Sequence, residues 1–417
     1  MKTDAENAVA YVCAKRKAAL LYTTALISCA IAGAPLAAQA ADEAGPTPPV
    51  AFSATYTGDI WANTSGGLRR SEKYLDNFDL TATIDAEQVF NIPGGTLFFY
   101  GLYNNNKTLS DTLVGDMQTV SNIDTTTATR LYEAWYEQAF GDGKSSLKVG
   151  LYDLNSEFDA IDTAGLFLLS SHGIGPDYSQ TGLNGPSIFP VTSLGARLQL
   201  QVSDDVLVRA AVLDAVPGSL THPRKTAIKL GNGEGALLAG EIEANLAGTT
   251  AALGVWGYTA KFDDVLAVDK TGAPLRRGGN KGAYLEAERQ VTSPFGDERG
   301  LSLFGRVGLA DTKVNQFSNY VGFGGSYKGL LDARPDDLLG LAVAHVSNGN
   351  PYRRAQVLAG APVGKSETNI ELTYRAEITP WLTLQPDAQY IINPGADPSL
   401  KNAFVIGLRF EVGIVSE

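Results

Sequence analysis

Short stretches in which apolar and polar residues alternate recur along most of the chain. The clearest places Leu194, Ala196, Leu198, Leu200 and Val202 at every second position, separated by Gly195, Arg197, Gln199 and Gln201. Successive side chains of a β-strand point to opposite faces, so this pattern predicts a strand with one apolar and one polar face. Residues 370–378 and 404–411 repeat the pattern. The chain is therefore predicted to be all-β.

Sixteen such strands can be marked along the sequence. They start near Phe52, Phe78, Gly95, Arg130, Ser145, Thr192, Asp205, Ala236, Thr249, Lys281, Gly300, Asn319, Asp337, Glu367, Trp381 and Asn402. Most connections after even-numbered strands are tight, although those near 292–299 and 329–336 are longer, and most after odd-numbered strands are long. We therefore predict a transmembrane antiparallel β-barrel of about 16 strands, with short periplasmic turns and long extracellular loops.

A closed barrel also satisfies the physical demands of a membrane. Lipid offers no hydrogen-bond partner to an open strand edge, so a spanning sheet must close on itself. About 16 strands enclose a lumen wide enough for water, which explains the polar face of each strand. Strands of soluble β-sandwiches show the same alternation of apolar and polar residues. The two-residue period alone therefore leaves a soluble β-sandwich as an alternative fold class.

The first 40 residues have the features of a signal peptide. A basic cluster at Lys15–Lys17 precedes a mostly apolar run that ends at Pro35, and Ala38-Gln39-Ala40 then offers small residues to a signal peptidase. We predict Sec-type cleavage near Ala40. The remaining organisation is predicted to be a short N-terminal segment (41–50), the barrel (51–412) and a C-terminal extension (413–417).

Two other interpretations of the N-terminus stay open. The stretch Leu26-Ile27-Ser28-Cys29 resembles a lipoprotein cleavage box, which would leave Cys29 as an acylated N-terminus. The apolar run could also act as an uncleaved membrane anchor. Both cysteines of the chain, Cys13 and Cys29, lie in this region.

Composition excludes several functional classes. The 417-residue chain carries a formal net charge of −12, which disfavours a nucleic-acid partner because phosphate backbones select clustered Lys and Arg. Two cysteines are too few for a disulfide scaffold of this length. With three histidines and no cysteine after cleavage, neither a metal site nor a cofactor is expected.

One motif points towards catalysis. His345-Val346-Ser347-Asn348-Gly349 resembles a stretch of outer-membrane phospholipase A. His345 and Ser347 are two residues apart, so on a strand their side chains lie on the same face, where His345 could activate Ser347. The following region, Tyr352–Ala361, supplies no Asn equivalent to that enzyme's second motif. A barrel hydrolase therefore remains an alternative, and an ordinary strand end with an Asn-Gly turn explains the same residues.

The longest predicted loop, Asn155–Val191, suggests a channel instead. A loop of this length after the fifth strand could fold into the lumen and narrow it. Carboxylates and guanidinium groups hydrogen-bond vicinal hydroxyls, and an aromatic ring covers the C–H face of a sugar. The predicted sugar-binding constriction residues are Glu133, Trp135, Glu137, Asp153, Glu157, Asp159, Arg197 and Arg209. The alternative for each of these residues is an ordinary solvated position on the barrel wall.

Blocks dispersed over the whole predicted barrel resemble the carbohydrate-selective porins of the OprB family. They include Tyr56-Thr57-Gly58-Asp59-Ile60-Trp61-Ala62-Asn63, Ile92-Pro93-Gly94-Gly95-Thr96, Tyr132-Glu133-Ala134-Trp135-Tyr136-Glu137-Gln138, Ser171-His172-Gly173-Ile174-Gly175-Pro176-Asp177 and Gly185-Pro186-Ser187-Ile188-Phe189-Pro190. The resemblance extends from about Tyr56 to Phe410.

The resemblance implies a 16-stranded porin of the Gram-negative outer membrane that admits glucose and related sugars by facilitated diffusion. Implied partners are the sugars, outer-membrane lipids, lipopolysaccharide and the barrel-assembly machinery, with a monomer and a trimer both possible. A general porin for small polar solutes is the alternative of the same architecture. One departure concerns assembly: such barrels often end on a terminal Phe, whereas Glu411–Glu417 follow Phe410 here.

Overall fold

The computed structural model describes residues 48–415, except 106–107, 142, 232, 295, 297 and 362. The predicted signal peptide, its cleavage near Ala40 and the Cys29 alternative lie outside the described residues. So do most of the 41–50 segment and the last two residues of the predicted C-terminal extension.

Sixteen antiparallel strands form a closed barrel in which β18 pairs with β1. The barrel strands are β1 (Val50–Ser65), β2 (Ser71–Asp85), β3 (Gly95–Asn104), β4 (Ala128–Phe140), β5 (Ser145–Tyr152), β6 (Ser193–Ser203), β7 (Val206–Asp214), β8 (Ala236–Asn245), β9 (Thr250–Tyr258), β12 (Lys281–Gln290), β13 (Gly300–Ala310), β14 (Phe317–Lys328), β15 (Leu338–Asn348), β16 (Ser366–Thr379), β17 (Leu382–Ile392) and β18 (Ala403–Val415). A separate hairpin, β10 (Lys261–Val268) and β11 (Pro274–Gly278), lies in the connection between β9 and β12.

The predicted barrel is confirmed, and the soluble sandwich is wrong. Three details differ from the prediction. The hairpin β10–β11 was expected to be plain loop, and β18 runs to Val415, so residues 413–415 belong to the barrel rather than to an extension. β2 begins at Ser71 instead of near Phe78, because inward-facing Leu75 is fully buried inside the barrel and interrupts the expected alternation.

The two faces of the wall follow the alternation. Leu198, Leu200 and Val202 are exposed on the outer surface, whereas Arg197 on the same strand is buried inside. Strand register repeats this division around the barrel, so that outward Leu341, for example, lies beside outward Leu372. An apolar exterior with a charged interior is the arrangement expected of a barrel in lipid.

Helices are few and short. They are α1 (Ala86–Phe90), α2 (Ser170–Gly173), α3 (Pro176–Ser179) and α4 (Asn350–Leu358), with single helical turns at Ser110–Val114, Leu154–Ser156, Asp162–Leu166 and Pro394–Ala396. Among the described residues, no helix has the length and apolar character needed to cross a membrane.

Two long connections fold into the lumen. We call residues 108–127, between β3 and β4, the first inward loop, and residues 153–192, between β5 and β6, the second inward loop. Leu109 and Leu113 of the first loop pack with Trp61 and Leu75 of the wall. Phe158 and other residues of the second loop pack with wall residues of β7, β8 and β9. The inward folding predicted after the fifth strand is thus confirmed, and the first loop adds to it.

Candidate functional site

The second inward loop crosses the lumen and is held by the opposite wall. The carboxylate of Glu371 on β16 accepts hydrogen bonds from the main-chain N–H groups of Leu168 (2.6 Å) and Leu169 (3.1 Å). Gln385 on β17 donates to the carbonyl of Leu166 at 2.8 Å. The N–H and C=O groups of the loop have no neighbouring strand to bond. The two wall side chains therefore supply the hydrogen-bond partners that these buried groups would otherwise lack.

Arg306 on β13 makes the strongest side-chain attachment of the same loop. Its guanidinium donates to both carboxylate oxygens of Asp159, at 2.5 and 2.6 Å, and to Asp177 at 2.8 Å. All three side chains are buried. Charge-assisted bidentate bonds of this kind fix geometry as well as adding energy, so the loop is tied to the wall at two points.

The first inward loop is attached in a similar way. Glu367 on β16 accepts from the N–H of Met117 at 2.8 and 3.0 Å. Arg409 on β18 bonds both Asp59 on β1, at 2.8 Å, and Asn122 of the loop, at 2.5 Å. Both inward loops are therefore fixed to the inner wall of the barrel.

A charged arc lines the remaining lumen from β4 to β8. At its centre, the buried Arg197 guanidinium forms two bonds with Glu157 of the second inward loop, at 2.6 and 2.7 Å. It also donates to Glu137 at 2.7 Å and to the Ser146 hydroxyl at 2.6 Å. Three of the predicted constriction residues, Glu137, Glu157 and Arg197, thus meet in one cluster.

Lys148 on β5 completes this cluster. Its ammonium lies 2.7 Å from Glu157 and 3.7 Å from Glu137, and Tyr152 donates to Glu157 at 2.6 Å. The ammonium also lies 4.2 Å from the ring centroid of Trp135. Two cations and two carboxylates therefore share one partly solvated position, where the loop meets the wall.

Glu157 is held ionised by these neighbours. Burial alone would raise the pKa of Glu157, but Lys148 and Arg197 outweigh it and lower the pKa to about 2. The pKa of Glu157 in the folded protein lies below its ordinary value, so ionised Glu157 stabilises the fold. This stabilisation is complete above about pH 4.5 and is lost as the pH falls towards 2.

We therefore expect Glu157→Gln to lower the free energy of unfolding by about 2–3 kcal/mol at pH 7. The difference from wild type should be constant down to about pH 5 and should shrink between pH 4 and pH 2. Urea unfolding of both proteins in detergent micelles across this pH range measures it. A difference that stayed constant down to pH 2 would contradict the assigned ion pairs.

Arg209 and its partners form the other end of the arc. The Arg209 guanidinium lies 2.8 Å from Glu241 and 2.8 Å from Glu243 of β8. Glu241 in turn accepts from the N–H of Asp159 at 3.0 Å, which connects this pair to the second inward loop. The side chain of Glu243 is 33% exposed and that of Arg209 is 14% exposed, so both face the open lumen.

The predicted residues Glu133, Trp135 and Asp153 form a third group. Trp135 donates from its indole nitrogen to Glu133 at 3.1 Å, and Glu133 also accepts from the N–H of Asp153 at 3.1 Å. Burial raises the pKa of Asp153 to about 6, although Tyr132 donates to its carboxylate at 2.5 Å. This group supports the start of the second inward loop.

Residues 69–413 match the family described as "Carbohydrate-selective porin, OprB family". The chain belongs to the OprB family. It is an outer-membrane protein of the Gram-negative type, as the closed barrel also indicates.

Individual relatives agree with this membership. Porin B of Pseudomonas aeruginosa is 29% identical over 399 residues, covering 86% of each chain. A putative porin of Acinetobacter baylyi, QuiX, is 22% identical and covers 68% of this chain and 69% of its own. The high-pH structure of Pseudomonas putida OprB superposes with a TM-score of 0.80 at 25% identity, over 88% of this chain and 94% of that one.

In this OprB-family barrel the eight predicted residues fall into connected groups, but they do not form one cluster. The carboxylate of Asp159 bonds Arg306, outside the cluster of Glu137, Glu157 and Arg197. Arg209 is connected to the main chain of Asp159 through Glu241. Sequence reasoning missed Lys148, Arg306 and Glu371. Lys148 alternates with apolar Leu147 and Val149, which was a usable sign of an inward cation. No comparable sign connected Arg306 or Glu371 to a loop far away in sequence.

Trp135 has a different environment from the one expected of a sugar-stacking ring. Phe98 on β3 stacks on it with ring centroids 4.9 Å apart, and Lys148 approaches from β5. Both neighbours therefore contact the face of the indole ring, which a stacking sugar would need. Trp135 therefore supports Lys148 and Glu133.

We expect Trp135→Ala to raise the sugar concentration needed for half-maximal block of ion current by a few fold. Lys148 would lose a cation–π contact worth about 0.5–1 kcal/mol, and with it part of the support that positions Glu137 and Glu157. Current recordings in planar bilayers measure this concentration. Trp381→Ala, at an exposed tryptophan by the short turns, is the matched control. An unchanged sugar dependence would remove Trp135 from the site.

The motif residues His345 and Ser347 lie on the lipid-facing side of β15, away from the lumen. The Ser347 hydroxyl is 3.3 Å from Nε2 of His345, and Nδ1 of His345 lies 2.8 Å from the hydroxyl of Thr368. Within the described residues no carboxylate or amide bonds to this imidazole, so it has no group of the kind that orients a general base.

Proposed function

We propose that this protein is a passive channel through which sugars cross the outer membrane by facilitated diffusion. The main support is the charged arc from Glu137 to Glu243 in a barrel of the OprB family. This arc lines the part of the lumen that the second inward loop, which is fixed to the wall, leaves open. A fixed constriction with exposed hydrogen-bonding groups selects solutes by their hydroxyl pattern as well as by size.

Sugar contacts are proposed for the groups of the arc that are still accessible. The side chain of Glu137 is 23% exposed, and those of Arg209 and Glu243 also reach the lumen. Arg197 is buried and fully bonded, so its proposed role is to position Glu137 and Glu157. Carboxylate acceptors beside a guanidinium donor suit vicinal hydroxyls, which both donate and accept.

Binding at such a site must be weak if the solute is to leave. Competition from water in the lumen and the existing ion pairs both reduce the gain from each sugar contact. Transport then follows the concentration gradient and uses no cofactor. We also infer a channel rather than an enzyme, since the imidazole of His345 bonds only hydroxyl groups among the described residues.

The long loops, including the β15–β16 connection, are proposed to face the cell exterior and the short turns the periplasm, as outer-membrane barrels are oriented. Outer-membrane lipids, lipopolysaccharide and the barrel-assembly machinery are the proposed partners besides sugar.

Swelling of proteoliposomes tests the proposal. Refolded protein in liposomes should admit glucose faster than a polyol of similar size, and Glu137→Ala combined with Glu243→Ala should reduce that preference. Swelling at equal rates for glucose and the polyol would favour the alternative, a general porin for small polar solutes. The absence of swelling by well-folded protein would contradict the channel itself.

A further inference from the structure

Two acidic side chains are in contact on the inner wall of the barrel, where the second inward loop is attached. Glu371 on β16 and Asp387 on β17 both face inward, and the strand register places them diagonally opposite each other. Their carboxyl groups lie within hydrogen-bond distance. The two residues are 0% and 5% exposed, so bulk water does not screen their charges from each other.

The other partners of this pair leave one oxygen without a donor. Both oxygens of Glu371 accept from main-chain N–H groups, those of Leu168 and Leu169. Asp387 accepts from Gln389 at 3.1 Å through Oδ1, whereas no group of the described residues donates to its buried Oδ2. Two ionised carboxylates in this position would repel each other strongly. One proton shared between them removes the repulsion and supplies the missing donor.

The surroundings of the pair do not neutralise a second negative charge. The charged groups that face or flank it in the part of the chain described by the structure are Arg409 on β18, Asp59 on β1, and Glu367 and Arg375 on β16. Arg409 is already bonded to Asp59, at 2.8 and 2.9 Å, and Arg375 to Glu377, at 3.1 Å. The β15 residue beside Glu371 is an alanine. The facing loop residues 120–122 and 166–169 have no titratable side chain.

Both inward loops cover the pair. Gln385 and Gln389, two residues to either side of Asp387, donate to the carbonyls of Leu166 in the second inward loop and Val120 in the first, each at 2.8 Å. A second charge at this position would be hydrated only if the loops moved away from β16 and β17. The protonation of the pair is therefore coupled to the attachment of the loops.

We propose that Glu371 and Asp387 share one proton and form a pH-sensitive latch that holds the inward loops in the lumen. When the pH rises, the proton passes to water, the two charges repel each other, and the loops loosen from the wall. The constriction then widens, and the channel admits more solute under alkaline conditions. Only this last step rests on the channel function proposed above.

Amide hydrogen exchange of the protein in detergent micelles, followed by mass spectrometry, tests the latch. After correction for the intrinsic exchange rate, peptides containing Leu168 and Leu169 should exchange about ten-fold faster at about pH 9 than at about pH 6. Asp387→Asn should exchange slowly at both pH values, because its amide donates to Glu371 and does not titrate. The matched control is Asp336→Asn, the same change at a side chain that is 62% exposed, which should keep the wild-type response.

Either of two results would overturn the latch. They are equal exchange of the wild-type peptides at the two pH values, and a pH response of Asp387→Asn that equals that of wild type. Planar-bilayer recordings add a functional readout, in which the conductance of wild type should rise with pH and that of Asp387→Asn should stay constant. An absence of current at both pH values would contradict the proposed channel function, while the exchange data would still decide the latch.

Discussion

Replacing Arg306 with Met is expected to lower the free energy of unfolding by about 3–5 kcal/mol, because it leaves two buried carboxylates without their cation. Asp159 and Asp177 are the two charges concerned, and both belong to the second inward loop. The loop should loosen as a result, so we also expect higher single-channel conductance and greater open-channel noise. Urea unfolding in micelles and planar-bilayer recordings measure the two effects.

The control for this experiment is Arg276→Met. Arg276 pairs with Asp263 at 3.0 Å in the hairpin β10–β11, but both side chains are more than half exposed. Exposed pairs contribute about 0–1 kcal/mol, so neither stability nor conductance should change appreciably. If Arg306→Met behaved like this control, the second inward loop would not depend on its attachment to β13.

Replacing Arg209 with Ala is expected to weaken sugar binding in the channel about ten-fold or more. Arg209 is the accessible guanidinium of the charged arc, and a hydrogen bond to a charged group contributes about 1.5–3 kcal/mol. The change also frees Glu241 and Glu243, which makes the lumen more acidic and should increase the preference for cations over anions. Sugar block of ion current and the reversal potential in a salt gradient measure the two effects.

Arg375→Ala provides the comparison for Arg209→Ala. Arg375 also pairs with a carboxylate inside the barrel, Glu377 at 3.1 Å, but it lies on β16 near the short turns. It should alter ion selectivity slightly and leave sugar affinity unchanged. Equal losses of sugar affinity in the two variants would mean that the binding site is not at the arc.

Much of the barrel could be predicted because lipid imposes a strict pattern. Most outward positions are apolar, so the two-residue period located sixteen strands in order. The prediction was least accurate at the start of β2, where Leu75 faces inward and packs against the first inward loop. At this inward position the alternation predicts a polar residue, but the chain has a leucine that packs against the loop. The local sequence pattern does not reveal such a long-range contact. The hairpin β10–β11 has no lipid-facing side, so it lacked the pattern altogether.

The residue types of the site could be predicted from the sequence. Most of the ion pairs and hydrogen bonds between those residues could not. Glu137, Glu157 and Arg197 could be proposed together because inward charges near a long loop are expected to meet. The attachment of Asp159 to Arg306 spans 147 residues of sequence, and its geometry depends on the path of the loop across the lumen. The same holds for Glu371, which bonds main-chain N–H groups of Leu168 and Leu169. Main-chain donors have no signature in the sequence.

The most direct test of the central claim is the single-channel conductance of refolded wild-type protein in a planar bilayer during titration with glucose. Maltose and a sugar-free osmolyte at matched viscosity serve as comparisons. The charged arc predicts a saturable fall in ion current with glucose that the osmolyte does not reproduce. A steady conductance at every glucose concentration would contradict a sugar-binding constriction and leave a general diffusion channel.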